Sequence, residues 1–130
     1  MSPSFTPVSL PAPALPPAGA YSPAVIAGDL IFVSGQIPKR LDTGEMAGPS
    51  LEEQTRQVFA NLRLALEAAG ASLADLVSVT VYLTDTDHWG EFDRIYRELF
   101  TPPYPTRAVV GAQLRGILIE VSGIARRPDR

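Results

Sequence analysis

Apolar residues along this chain follow two periods, one of about 3.6 residues and one of two residues. The longer period covers residues 51–69 and 89–100. Runs rich in Val and Ile, typical of strands, lie at residues 24–27, 30–34, 76–84, 108–112 and 116–125. The predicted order is strand, strand, helix, strand, helix, strand, strand. This order indicates an α+β fold in which two helices cover one face of a sheet.

Local signals mark the ends of the two predicted helices. Ser50 and Glu53 have the spacing of a capping box at the start of the first helix, and Gly70 predicts its end. Asp87 is predicted to cap the second helix, which ends before a Pro-Pro pair. The aromatic stripe of this helix, which begins at Trp89, is expected in the core.

The predicted strand at residues 76–84 has one apolar and one semi-polar side. The semi-polar side carries Thr80, Tyr82 and Thr84. The sequence contains no third helix to cover that face of the sheet. Association with other copies of the chain is therefore expected, with pockets left between them.

The first part of the chain differs from the rest in composition. Residues 1–23 hold seven of the thirteen prolines. Because proline fixes φ and lacks a backbone donor, an extended arm on the surface or along a sheet edge is expected. We divide the chain into a proline-rich N-terminal arm, residues 1–20, and a single domain, residues 21–130.

Composition excludes several classes of function. The net charge of −3 and the lack of a basic cluster argue against nucleic-acid binding. Neither a signal peptide nor a run long enough to span a bilayer is recognised, so a cytoplasmic protein without membrane contact is expected. The absence of cysteine and the single histidine, His88, argue against thiolate chemistry, most zinc sites and serine-type triads.

Two charged residues interrupt the last two apolar runs. Arg107 begins the first run and Glu120 lies within the second, on either side of a turn-like segment at residues 113–116. This pattern predicts an antiparallel hairpin. A hairpin closed by an even-numbered loop would put both side chains on one face, with backbones about 7 Å apart. The spacing is equally compatible with a cross-strand salt bridge and with a small-ligand site.

A glycine ends the second predicted strand. Gly35, in the segment Ser34-Gly35-Gln36, permits either an unusual backbone conformation or a close approach that a side chain would block.

Several motifs resemble the RidA (YjgF) family of reactive-intermediate deaminases, in the same order along the chain. They are FVSGQIP at residues 32–38, EEQTRQVFANLRLALEAAGASL at 52–73, TVYLTD at 80–85, and the strands that carry Arg107 and Glu120. The resemblance covers about residues 18–126. It implies a chorismate-mutase-like α+β fold with a mixed sheet and two helices on one face. It also implies a homotrimer whose sheets line its inside and whose ligand sites lie in clefts between subunits.

The resemblance also implies a reaction. Family members hydrolyse enamines and imines such as 2-aminoacrylate and 2-iminopropanoate to a 2-keto acid and ammonia, without a cofactor or metal. Arg107, in YPTR, would hold the substrate carboxylate bidentately, and Glu120 would orient the attacking water. The implied substrate-binding positions are Tyr21, Ser34, Gly35 and Val109. On residue chemistry alone, Tyr21 would equally cover a sheet edge, and Ser34 would equally satisfy a turn.

The chain departs from the family pattern near the implied pocket. Val109 and Ser122 stand where archetypal members often have cysteine and glutamate, and Asp93 stands where they often have asparagine. These departures bear on substrate range more than on reaction class. The alternative is a non-catalytic trimeric binding or regulatory protein for small carboxylate metabolites. The deaminase interpretation fails if Arg107 and Glu120 point to opposite sides of the sheet, or if the guanidinium is sealed in a bridge without a cavity.

Overall fold

Six strands form one sheet, and two helices pack against one of its faces. The computed structural model describes residues 4–128. The strands are β1 (Thr6–Val8), β2 (Ala24–Ala27), β3 (Leu30–Gln36), β4 (Leu76–Leu83), β5 (Thr106–Gly111) and β6 (Ile119–Arg126), and the helices are α1 (Leu51–Ala68) and α2 (Trp89–Leu99). The predicted α+β fold and the order of its elements are confirmed. The proline-rich segment adds one short strand, β1, which pairs with β2.

The order of strands in the sheet is β1-β2-β3-β6-β4-β5. The predicted hairpin of the last two strands is wrong, because β4 lies between β5 and β6. The chain leaves β4, passes through α2 and returns as β5, parallel to β4. Such a parallel pair needs a long crossover, and the chain then crosses the end of β4 to place β6 antiparallel on its other side. Periodicity identifies strands but does not say which strands are neighbours.

The two faces of β4 differ as predicted. Val79, Val81 and Leu83 are buried in a core that includes side chains of both helices. Thr80 and Tyr82 point to the opposite, partly exposed face, which we call the open face. The exposed apolar side chains Leu30 and Phe32 lie on this face in β3. No helix or strand within residues 4–128 covers the open face.

The first helix begins and ends as predicted. The Ser50 hydroxyl accepts a hydrogen bond from the Glu53 amide at 3.1 Å, and the Glu53 carboxylate accepts one from the Ser50 amide at 3.3 Å. The helix gives way to Gly70, whose φ of +86° suits a residue without a side chain. Val58 and Leu62 lie fully buried against the sheet.

The second helix differs from the prediction at its start. Asp87 does not cap α2, because its N-cap residue is His88, which makes no side-chain capping hydrogen bond. The Asp85 carboxylate caps the preceding turn instead, where it accepts a hydrogen bond from the Asp87 amide at 2.9 Å. A short 3-10 turn, Thr86–His88, then leads into α2. Phe92 is buried as predicted, but Trp89 is 47% exposed and is not part of the core. Trp89 lies in the first turn of α2, at the margin of the sheet, where packing is incomplete.

Within residues 4–128, no helix has the length and apolar character needed to cross a membrane.

We expect Ser50→Ala to lower the free energy of unfolding by about 1 kcal/mol, because the hydroxyl no longer bonds to the Glu53 amide and carboxylate. Urea denaturation followed by circular dichroism measures this change. Ser9→Ala, at an exposed position outside the helices and strands, is the matched control. An equal effect of both substitutions would contradict the assigned cap.

Candidate functional site

Arg107 lies on the helix-covered side of the edge strand β5. It is opposite the buried Val79 of β4, so its side chain points toward α2. Nη1 donates a hydrogen bond to Oδ1 of Asp93 at 2.9 Å. The guanidinium also lies 4.7 Å from the ring centre of Tyr96 and 5.5 Å from that of Trp89. These aromatic faces and the carboxylate hold the cation in a fixed orientation.

Asp93 bridges two arginines. Its second oxygen, Oδ2, accepts a hydrogen bond from Nε of Arg97 at 3.1 Å, one helical turn further along α2. Burial alone would raise the pKa of Asp93, but the hydrogen bonds from Arg107 and Arg97 outweigh it and lower the pKa below its ordinary value. Asp93 is therefore ionised at neutral pH.

A cavity of about 340 Å³ lies beside this ion pair. Its lining residues are Asp93, Tyr96, Arg97, Tyr104, Pro105 and Arg107. The Tyr96 hydroxyl is buried and has no hydrogen-bond partner within residues 4–128. Burial raises the pKa of Tyr96, although Arg107 partly opposes the shift, so the hydroxyl keeps its proton. We call Arg107, Asp93, Tyr96 and Arg97 the edge half-site.

The Arg107 guanidinium still has donors to offer. Within residues 4–128 the guanidinium makes one hydrogen bond, through Nη1, so Nε and Nη2 have no partner there. These two donors lie side by side, in the geometry that binds a carboxylate through both oxygens. The guanidinium is thus paired without being closed off from the cavity.

Glu120 lies on the open face. It is opposite Tyr82 in the antiparallel pair of β6 and β4. A Cβ added at Gly35 would stand 3.0 Å from Cδ of Glu120 and closer still to its Oε2. The predicted close approach at Gly35 is therefore confirmed. Among the described residues, the Glu120 carboxylate forms no ion pair and no side-chain hydrogen bond.

Ser34 and Tyr21 lie near Gly35. An irregularity in β3 between Val33 and Gln36 contains Ser34, whose hydroxyl donates to the Ser22 carbonyl at 2.6 Å. This bond agrees with the structural alternative given above for Ser34, in which its hydroxyl satisfies a turn. Tyr21 is 54% exposed and shares with Gly35 a second cavity of about 170 Å³. We call Glu120, Gly35, Ser34 and Tyr21 the face half-site.

The predicted placement of Arg107 and Glu120 on one face is wrong. The two side chains point to opposite faces, and strand β4 separates their backbones by about 14 Å, judged from strand spacing and rise. Within one chain they cannot hold the same small ligand. The opposite-face result meets the first failure condition stated above, so a deaminase site built from a single chain is excluded. The second failure condition is not met, because a cavity lies beside the guanidinium. A site between subunits, which the sequence resemblance implies, is not subject to the first condition.

The remaining predicted position, Val109, faces the helix side and packs against the core rather than lining either cavity. No site role was predicted from the sequence for Tyr96, Tyr104 and Arg97. The spacing of four residues between Asp93 and Arg97 on a predicted helix is a signal from which their ion pair could have been predicted. Tyr104, directly ahead of the PTR segment, lies close to Arg107 in the sequence.

Comparison with known proteins gives consistent matches over most of the chain. A protein-family model described as endoribonuclease L-PSP matches residues 12–127. A RutC family protein of Pyrococcus horikoshii is 41% identical over 84% of this chain and 88% of its own length. A 2-iminobutanoate/2-iminopropanoate deaminase of Dermatophagoides farinae is 33% identical over 73% of this chain and 74% of its own. The crystal structure of the yeast protein YEO7 superposes with a TM-score of 0.88 at 34% identity, covering 95% of this chain and 99% of that one.

We expect Gly35→Ala to displace the Glu120 side chain, because the added methyl group would overlap the carboxylate. The overlap is with the end of a flexible side chain, so the protein should remain folded. A crystal structure of the variant measures the displacement. Gly90→Ala is the control, because no atom lies within 4 Å of its added Cβ. An unmoved Glu120 in Gly35→Ala would contradict the described packing.

Proposed function

Because the chain belongs to the endoribonuclease L-PSP family, which includes the RidA proteins, we propose that it hydrolyses reactive enamines and imines of the 2-aminoacrylate/2-iminopropanoate type. The products are a 2-keto acid and ammonia. The observation that carries the proposal is the Arg107 guanidinium, which lines a cavity and keeps two adjacent donors free.

The reaction requires one group that binds the substrate carboxylate and another that positions the attacking water. Nε and Nη2 of Arg107 would bind the substrate carboxylate through both oxygens and so fix the neighbouring imine carbon. The water oxygen bonds to that carbon and gives a tetrahedral adduct. The carbon–nitrogen bond then breaks, and protons from the water and adduct pass to nitrogen, which leaves as ammonia. Glu120 orients the water and carries protons between oxygen and nitrogen.

The proposal requires two copies of the chain at each site. Arg107 and Glu120 point to opposite faces, so the edge half-site of one subunit would meet the face half-site of its neighbour. Two features of the chain support such an assembly: the uncovered open face with its exposed Phe32 and Leu30, and the unpaired outer edge of β5. A homotrimer, as the sequence resemblance implies, would contain three such sites related by rotation.

The relative from Dermatophagoides farinae supports the reaction class, since its name states the deamination of 2-iminobutanoate and 2-iminopropanoate. Most of the other relatives carry only a RutC family name, which does not state a reaction.

A second function, binding of 2-keto acids without turnover, is favoured by one observation. Within one chain Glu120 lies on the opposite face from Arg107 and does not line the cavity beside it, so a carboxylate could bind at Arg107 without a group that directs water. Turnover distinguishes the two functions. A binding protein would show saturable binding of 2-keto acids and would leave the rate of imine hydrolysis unchanged, whereas a deaminase would raise that rate.

We expect the protein to accelerate keto-acid release when 2-iminopropanoate is generated in the assay from alanine by an amino-acid oxidase. Arg107→Ala should lower the acceleration on the order of 100-fold, because the carboxylate anchor and its positioning are lost. Release of ammonia or trapping of the imine by semicarbazide measures the rate.

Arg63→Ala is the matched control, since it removes an exposed arginine of α1 that lies outside both half-sites. It should leave the rate unchanged. An Arg107→Ala protein as fast as the wild type, or a wild type that accelerates none of several imines, would contradict the proposed function.

A further inference from the structure

The edge half-site contains a negative charge where the proposed substrate also brings one. Asp93 lies 2.9 Å from Nη1 of Arg107, and its side chain is only 15% exposed. An acidic group next to a carboxylate anchor lowers the affinity of that anchor for anions. Asp93 therefore affects which anions bind in the cavity.

The charges of the cavity lining sum to a single positive charge. Arg97 and Arg107 each contribute one positive charge and Asp93 contributes one negative charge. One carboxylate bound at Arg107 would bring this sum to zero. A second carboxylate on the same ligand would make this sum negative in a cavity of about 340 Å³ that already contains Asp93. Glu120 of the neighbouring subunit, in the proposed shared site, would add a further negative charge.

Tyr96, one of the residues that line the cavity, carries a donor without charge. The Tyr96 hydroxyl is protonated, buried and without a partner among the described residues, and the residue is 2% exposed. A buried hydroxyl without a partner is rare in folded proteins, because its desolvation is not compensated. A ligand oxygen bound in the cavity would compensate it.

We propose that Asp93 is a specificity-determining residue that restricts the site to acids with a single carboxylate, the class that includes imino acids with neutral side chains. The proposal rests on the proposed function, because it assigns the substrate class of the same site. Asp93 acts by lowering the charge of this cavity lining from two positive units to one. It also keeps the Nη1 side of Arg107 occupied, so that the Nε and Nη2 side alone receives the ligand.

The test compares two acids that differ in one terminal group. Calorimetric titration of the assembled protein with 2-oxopentanoate and with 2-oxopentanedioate gives the ratio of their dissociation constants. We expect the wild type to bind the monoacid at least tenfold more tightly. Asp93→Asn keeps an oxygen acceptor for Nη1 and removes the charge, so it should reduce the ratio about tenfold, mainly by improving the binding of the diacid.

Two further variants make the result specific. Glu91→Gln removes one negative charge from an exposed position of the same helix, and it should leave the ratio unchanged. Arg97→Gln removes a positive charge from a side chain that is 69% exposed, so the fold should tolerate it. Because it brings the cavity sum to zero, it should weaken binding of both acids, and the diacid more.

The outcomes separate this inference from the proposed function. An unchanged ratio in Asp93→Asn, or an equal change in Glu91→Gln, would overturn the role of Asp93 while leaving keto-acid binding at Arg107 intact. Failure of both the wild type and Asp93→Asn to bind either acid would overturn the inference together with the proposed site. In steady-state assays with the two corresponding imines, the effect of Asp93→Asn should fall on KM rather than on kcat.

Discussion

The position of β4 between β5 and β6 is the constraint on which the rest of this structure depends. Since α2 connects β4 to β5, the crossover returns the chain parallel to β4 and leaves β5 at the edge of the sheet. The register of that parallel pair puts Arg107 beside Val79, on the side covered by α2. The register of β6 on the other side of β4 puts Glu120 beside Tyr82, on the open face. The two candidate catalytic groups are separated by the topology itself.

Each group lies in surroundings that suit a different task. Arg107 is held by one carboxylate and by the faces of aromatic rings, so it is oriented before any ligand arrives. Glu120 has no partner among the described residues and lies against Gly35, where the lack of a side chain leaves room for its carboxylate. An anchor profits from fixed geometry. A group that passes protons to and from water profits from an unoccupied acceptor.

The sequence predicts most of the local structure because its signals are local. The capping box of Ser50 and Glu53, the alternation of β4 and the glycine needed at residue 35 are all encoded within a few neighbouring positions. The neighbours of β5 and β6 are not encoded in this way, since an apolar strand pairs equally well with several others. The resemblance placed Asp93 near the pocket, but its ion pair with Arg107 was not predicted, because the two residues are 14 positions apart and only the crossover brings them together. Trp89 shows the related limit that an apolar stripe does not reveal where a helix extends beyond the core.

Complementation between two inactive variants tests most directly whether each site is shared by two subunits. Arg107→Ala and Glu120→Gln are each expected to be inactive when purified alone. When they are co-expressed and assembled at random, about a quarter of the sites in the proposed trimer should receive Arg107 from one subunit and Glu120 from its neighbour. If each site is shared, imine hydrolysis should return to about that fraction of the wild-type rate per site. Mixed assemblies with no more activity than either variant alone would contradict it.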